Sequence, residues 1–190
     1  MGTRHLVMVI LDGEFKVAQY GQWDGYPKGA GVEVVNFILN VMDKKKFIAA
    51  LRECTWVTRE RLSQLYDDFG SKNGYIDLND SKRMGEAFPA FSRDTSSDIL
   101  KLIQDGGIRE LDGDHKFAAD SHFCEWAYVL DMDKDILEVY EGFNKKPLKE
   151  TERFASYKTE KDSEYQPIKL LKAIPFSELA DFDLAGLNKE

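Results

Sequence analysis

His5-Leu6-Val7-Met8-Val9-Ile10-Leu11-Asp12-Gly13-Glu14-Phe15-Lys16-Val17-Ala18-Gln19-Tyr20 is the stretch that decides the fold class. His5 to Leu11 reads as a strand, Asp12-Gly13 as a tight turn and Phe15 to Tyr20 as the returning strand. Asp-Gly between two apolar runs is a strong hairpin signal, because such turns need positive φ, which Asp and Gly tolerate. Near the other end the same grammar returns. Glu125 to Leu130 is a strand, Met132-Asp133-Lys134-Asp135 a turn, Ile136 to Tyr140 its partner, and Ile168 to Ile174 a further strand broken by Pro175.

Between these hairpins the apolar period lengthens from two to about 3.6 residues, the mark of packed helices. Helices are expected over Val32 to Met42, Lys44 to Cys54 and Thr58 to Phe69. Two more are expected, one capped by Asn79 or Asp80 and one capped by Ser96 and ended by Gly106-Gly107. Asn144 to Gln166 has no clean period and reads as a surface excursion held by Phe154, Tyr157 and Tyr165, and Ser177 is read as capping a last turn. The expectation is one α+β domain over 1–185, a mainly antiparallel sheet from N- and C-terminal hairpins covered by central helices, with a frayed tail at 186–190.

Bulk properties narrow the function. The chain has 190 residues, 43% hydrophobic and 32% charged, enough for one well-buried core. A net charge of −8, with Lys44-Lys45-Lys46 the one compact basic run, argues against nucleic acid as a partner. Two cysteines, Cys54 and Cys124, without C-x-x-C spacing suit reduced thiols better than a zinc or disulfide framework. Leu6 to Leu11 is too short for a signal peptide and no segment is long enough to cross a bilayer, so a cytoplasmic protein without membrane partners is expected.

The most unusual segment is Gln22-Trp23-Asp24-Gly25-Tyr26-Pro27-Lys28-Gly29-Ala30-Gly31. A connection needs one or two turn residues; this one adds two broad aromatic faces, a carboxylate, an amide and three glycines. Arg4, Tyr20, Gln22, Trp23, Asp24 and Tyr26 are therefore the candidate ligand-binding residues, with a small polar molecule or a protein as partner. Asp24 as a general base in a hydrolase or transferase is the alternative, helped by Arg4 or His122, and a phage protein that blocks a host factor is a third reading. An Arg4–Asp24 ion pair is expected to hold the loop. Against all three stands the plain view of an Asp-Gly turn anchored by Trp23 and Tyr26.

Gly2-Thr3-Arg4, the Tyr20-Gly21-Gln22-Trp23-Asp24-Gly25-Tyr26-Pro27 run with Gly29 and Gly31, and the Glu125-Trp126-Ala127-Tyr128-Val129-Leu130-Asp131 strand together resemble an uncharacterised family found in bacteria and their phages. The resemblance covers about a quarter of the chain and implies no activity, cofactor or catalytic residue.

Other constellations are weaker. Asp112, Asp114, His115, Asp120 and His122 fall close together and include metal-ligand types, but no helical spacing joins the two histidines, so a polar loop is expected and no metal is assigned. Phe69 to Asp80 matches an EF-hand loop at several places but lacks the first Asp and the terminal Glu, so an Asn73-Gly74 turn is expected. A start at Gly2 does not supply the Ser, Thr or Cys that an N-terminal nucleophile requires, and no nucleotide-binding glycine motif is present. No Ser-His-Asp or Cys-His set is assembled from sequence, and no cofactor is expected.

Overall fold

The computed structural model describes residues 2–71, 75–159 and 163–187. Strand β1 (His5–Leu11) is buried at all seven positions. A strand with no polar alternation has to be covered on both faces, which places it inside a sheet. The five-stranded sheet runs β2-β1-β5-β6-β7, with β2 at Glu14–Gly21, β5 at Trp126–Asp131, β6 at Ile136–Glu141 and β7 at Lys169–Pro175. β1 and β5 are parallel; the other pairs are antiparallel. The sheet is thus mainly antiparallel and the class is α+β, with strands from both ends of the chain joined in it.

The parallel pair needs a long crossover, and the helices between β2 and β5 supply it. They are α1 (Val32–Asn36), α2 (Lys44–Glu53), α3 (Arg59–Asp68), α4 (Leu78–Ala87) and α5 (Asp98–Gln104). Val7, Val9 and Leu11 face one layer, where α1 and its C-terminal extension give Val34, Phe37 and Ile38, α2 gives Phe47 and Leu51, and α5 gives Ile99, Leu100 and Ile103. Leu6, Met8 and Ile10 face the other layer, closed by Ala118, Phe154 and Ile168.

The two hairpin tips are tied together. Asp12 and Gly13 take φ values of 55° and 75°, and both of their amides donate to the Asp133 carboxylate at 2.8 Å. Asp135 in the second turn also has positive φ, 55°. Turn chemistry and register agree here.

Several boundaries differ from expectation for identifiable reasons. The helix expected over Val32 to Met42 is α1 flanked by wide π-type turns at Pro27–Gly31 and Phe37–Val41, the first of them kinked at Gly29, whose φ and ψ of −106° are not helical. Asp77, instead of Asn79 or Asp80, caps α4 by accepting from the Asp80 amide at 2.9 Å. Ser96 does not cap α5; its hydroxyl is engaged elsewhere, and Ser97 holds the cap position. β7 stops at Pro175 as expected, one residue later than Ile174, because an edge strand can include a proline where no ladder donor is needed. Pro175, not Ser177, stands at the N-cap of the final 3-10 turn, Phe176–Asp181. A two-residue parallel pair, β3 (Thr55–Trp56) with β4 (Glu110–Leu111), was not expected, being too short for a period to show.

The 144–166 excursion does more than cover surface. Its Phe154 is fully buried, and Arg153 donates to Glu138 at 2.7 and 2.8 Å and to Asp131 at 2.8 Å, clamping the excursion onto β5 and β6. The expected Asn73-Gly74 turn lies outside the described residues. Of the tail expected to fray, 188–190 also lie outside them, while Leu187 packs on the helix-side core. Among the described residues no helix is long and apolar enough to cross a membrane.

Candidate functional site

His5 is the one charged-type side chain in an otherwise apolar strand, and strand parity places it on the helix side with Val7 and Val9. It is wholly buried. The 21–31 loop is built around it. Gly21 lies opposite His5 in the β1–β2 ladder, and a Cβ there would stand 2.2 Å from the imidazole Cε1. A Cβ on Gly25 would stand 2.6 Å from the Thr3 carbonyl and 2.7 Å from His5 Nδ1. Close approach of the imidazole is what requires glycine at these two positions. Gly31 similarly makes room for the Tyr128 ring.

Hydrogen bonds lock the loop down. Gly25 N–H donates to Thr3 O at 3.1 Å, Tyr128 O–H donates to Gly25 O at 2.8 Å, and Ala30 N–H donates to Asp24 O at 2.9 Å. Gln22 N–H donates to Arg93 O at 3.1 Å, and the Trp23 indole N–H donates to Asp94 Oδ1 at 3.0 Å. The backbone is therefore fixed while the side chains face outward. Trp23 is 49% and Tyr26 44% exposed, and Asp24, with φ of 51°, is exposed between them.

Beneath this display the imidazole makes two contacts. Nδ1 lies 3.3 Å from Thr3 O and Nε2 lies 2.8 Å from Ser96 Oγ. A carbonyl only accepts, so Nδ1 carries the proton and Nε2 of the neutral ring accepts from the Ser96 hydroxyl. Burial pushes the His5 pKa down, against the opposing effects of the Thr3 carbonyl and the charges of Glu33 and Asp24. The ring is neutral at pH 7. Next to Ser96, Ser97 Oγ donates to Glu33 at 2.5 Å.

The other expected site residues separate by strand parity. Arg4, one residue before His5, points to the opposite side. It pairs with Glu125 at 3.5 Å and stands over the Phe123 ring at 4.7 Å, so the expected Arg4–Asp24 pair is not formed. Tyr20 donates to Gln22 Oε1 at 2.6 Å and lines a cavity of about 340 Å³ with Gln19, Ser92, Arg93, Asp112 and Phe117. Burial pushes the Asp112 carboxyl up in that cavity, partly offset by the Gly113 amide. Trp23, Asp24 and Tyr26 thus form one outward set, and Arg4, Tyr20 and Gln22 stand beside it.

The remaining histidines do not converge on Asp24. His115 stacks on Phe15 and bonds Tyr157 Oη at 2.6 Å, while His122 stacks on Tyr165. No group of three or more metal-ligand side chains forms among the described residues. Asp77 and Asp80 are used in capping and in an ion pair to Arg83 at 2.8 Å. The Ser96–His5 contact joins residues 91 positions apart, and sequence reasoning missed it. The available signals were a histidine in an apolar strand and glycines at 21 and 25 flanking it in space.

Compared with known proteins, the chain matches no family model, no curated protein and no solved structure.

Proposed function

We propose that this is a cytoplasmic binding protein that recognises a small polar ligand or a protein partner through the Gln22–Gly31 loop. One observation carries the reading: Trp23, Asp24 and Tyr26 face solvent from a backbone held by buried hydrogen bonds and by contact with His5. A rigid loop that presents two large aromatics and a carboxylate loses little conformational entropy on binding, and exposed Trp and Tyr are frequent binding anchors. The resemblance to bacterial and phage sequences supports an origin of that kind. Asp24 as a general base gains less support, since Glu125 pairs with Arg4 and His122 stacks on Tyr165.

Native mass spectrometry of the protein as purified, beside Trp23→Ala and Asp24→Ala, tests the reading. A retained mass that both variants lose, with melting temperatures unchanged within a few degrees, is the expected result. A ligand retained by both variants, or collapse of both folds, refutes it. Where the wild type carries no ligand, a partner captured from a bacterial lysate must be lost in both variants.

A further inference from the structure

We propose that Ser96 and His5 form a nucleophile–base pair and that the chain is a serine acyl hydrolase, an activity beyond binding. The geometry meets the requirements of such a pair. Ser96 Oγ is 2.8 Å from His5 Nε2, and Nδ1 is oriented by a third group, the Thr3 carbonyl, at 3.3 Å. The carbonyl fixes the tautomer that leaves Nε2 free to take a proton, the role a carboxylate fills in the familiar triads.

Two features go beyond what a buried imidazole needs for satisfaction. Ser96 has φ of 46°, a left-handed conformation in a residue that is not glycine, and backbone strain of this kind clusters at functional sites. Ser96 is also half-buried where His5 is wholly covered, so the pair runs from the core outward toward the surface. The display loop is adjacent, because the Trp23 indole is bonded to Asp94, two residues before the nucleophile. Burial disfavours the imidazolium that forms during reaction, and the Thr3 carbonyl with the charges of Glu33 and Asp24 offsets part of that cost.

The chemistry balances without a co-reactant other than water. Ser96 Oγ bonds to the carbonyl carbon of an ester as its proton moves to His5 Nε2. Collapse of the tetrahedral adduct breaks the bond to the leaving oxygen, which takes that proton and departs as an alcohol. Water then attacks the acyl-Ser96 ester and gives a proton to Nε2; Oγ recovers it as the carboxylic acid leaves.

An alkyl fluorophosphonate tests the pair directly, since attack by Ser96 expels fluoride and leaves a stable adduct. The full chain should gain one phosphonyl group, mapped by peptide mass spectrometry to Ser96. Its rate should exceed that of any other serine by about 100-fold or more, the lower end of what a positioned base contributes. Ser96→Gly removes Oγ while suiting the left-handed backbone, so it should keep the fold and lose the adduct. The adduct is read on Ser96 of the wild type and ligand retention on the loop variants, so failure of the binding reading and failure of this inference are told apart. Nitrogen-15 NMR of the His5 ring should place its proton on Nδ1. An unmodified Ser96 in the folded wild type, a rate equal to that of Ser97, or a proton on Nε2 overturns the inference.

Discussion

Gly25→Ala is the substitution whose cost follows most directly from the packing. The added Cβ would lie 2.6 Å from Thr3 O, 2.7 Å from His5 Nδ1 and 2.8 Å from His5 Cβ. None of these atoms is the free end of a flexible side chain, and His5 is buried on all sides. Overpacking of this kind costs about 1–3 kcal/mol. Displacing the loop also weakens the Gly25 N–H to Thr3 O bond, worth about 0.5–1.5 kcal/mol. The sum is about 1.5–4.5 kcal/mol, a large share of the roughly 5–15 kcal/mol that holds a domain together. At about 2–4 °C per kcal/mol for a chain of this size, the melting temperature should fall by roughly 3–18 °C. Gly107→Ala is the control, because its nearest contact, Leu102 O, is at an ordinary 3.6 Å. Urea denaturation of both variants gives the difference. If Gly25→Ala and Gly107→Ala lie within about 0.5 kcal/mol of each other, the loop does not wrap His5 as described.

Arg153→Ala should cost about 2–4 kcal/mol, somewhat below a fully buried pair, because Arg153 is 21% exposed and Lys134 still faces Asp131; limited proteolysis should then cut within 144–159 first. Burial alone would raise the Asp131 carboxyl, but hydrogen bonds from Lys134 and Arg153 outweigh it and hold the group below its ordinary value. Its contribution is thus present above the unfolded value near 3.8 and lost as pH falls through the folded one, visible as an acid limb shallower in Arg153→Ala. His5 is likewise depressed, so its neutral state contributes fully above pH 6.5 and stability declines below it, by at most about 1.4 kcal/mol per pH unit; an NMR midpoint for His5 at or above 6.5 contradicts this. Cys124 is fully buried with its thiol pushed up by that burial, and should react with a disulfide reagent at pH 7 only at the rate of unfolding.

Much of the architecture is readable from local chemistry. Asp12-Gly13 and the turn at Met132 to Asp135 declare both hairpins, and the change of period between them declares the helices. The α2 and α3 bounds agree with expectation to within a residue, since each has a capping side chain, Asp43 and Thr58. The 144–166 excursion shows the limit: its clamp is Arg153 on Asp131 and Glu138, a long-range ion pair that no local pattern encodes.

The candidate site divides the same way. Composition pointed to Trp23, Asp24 and Tyr26, whose exposure the fold provides. Arg4 lies one step of strand parity away from the loop, and its neighbour His5 holds the central position instead. The partner of His5, Ser96, reads from sequence as a helix cap because Ser before an apolar helical run usually is one. Only the fold, by bringing the start of β1 under the turn before α5, turns that hydroxyl toward an imidazole.

Native-state hydrogen exchange at residues 22–31 tests most directly whether this loop is a rigid display surface. Gly25 and Ala30 amides, bonded to Thr3 O and Asp24 O, should be protected to a degree approaching the β1 amides, although the neighbouring side chains are in solvent. Exchange at the rate of an open loop would contradict the account, because Trp23, Asp24 and Tyr26 would then have no fixed frame from which to bind.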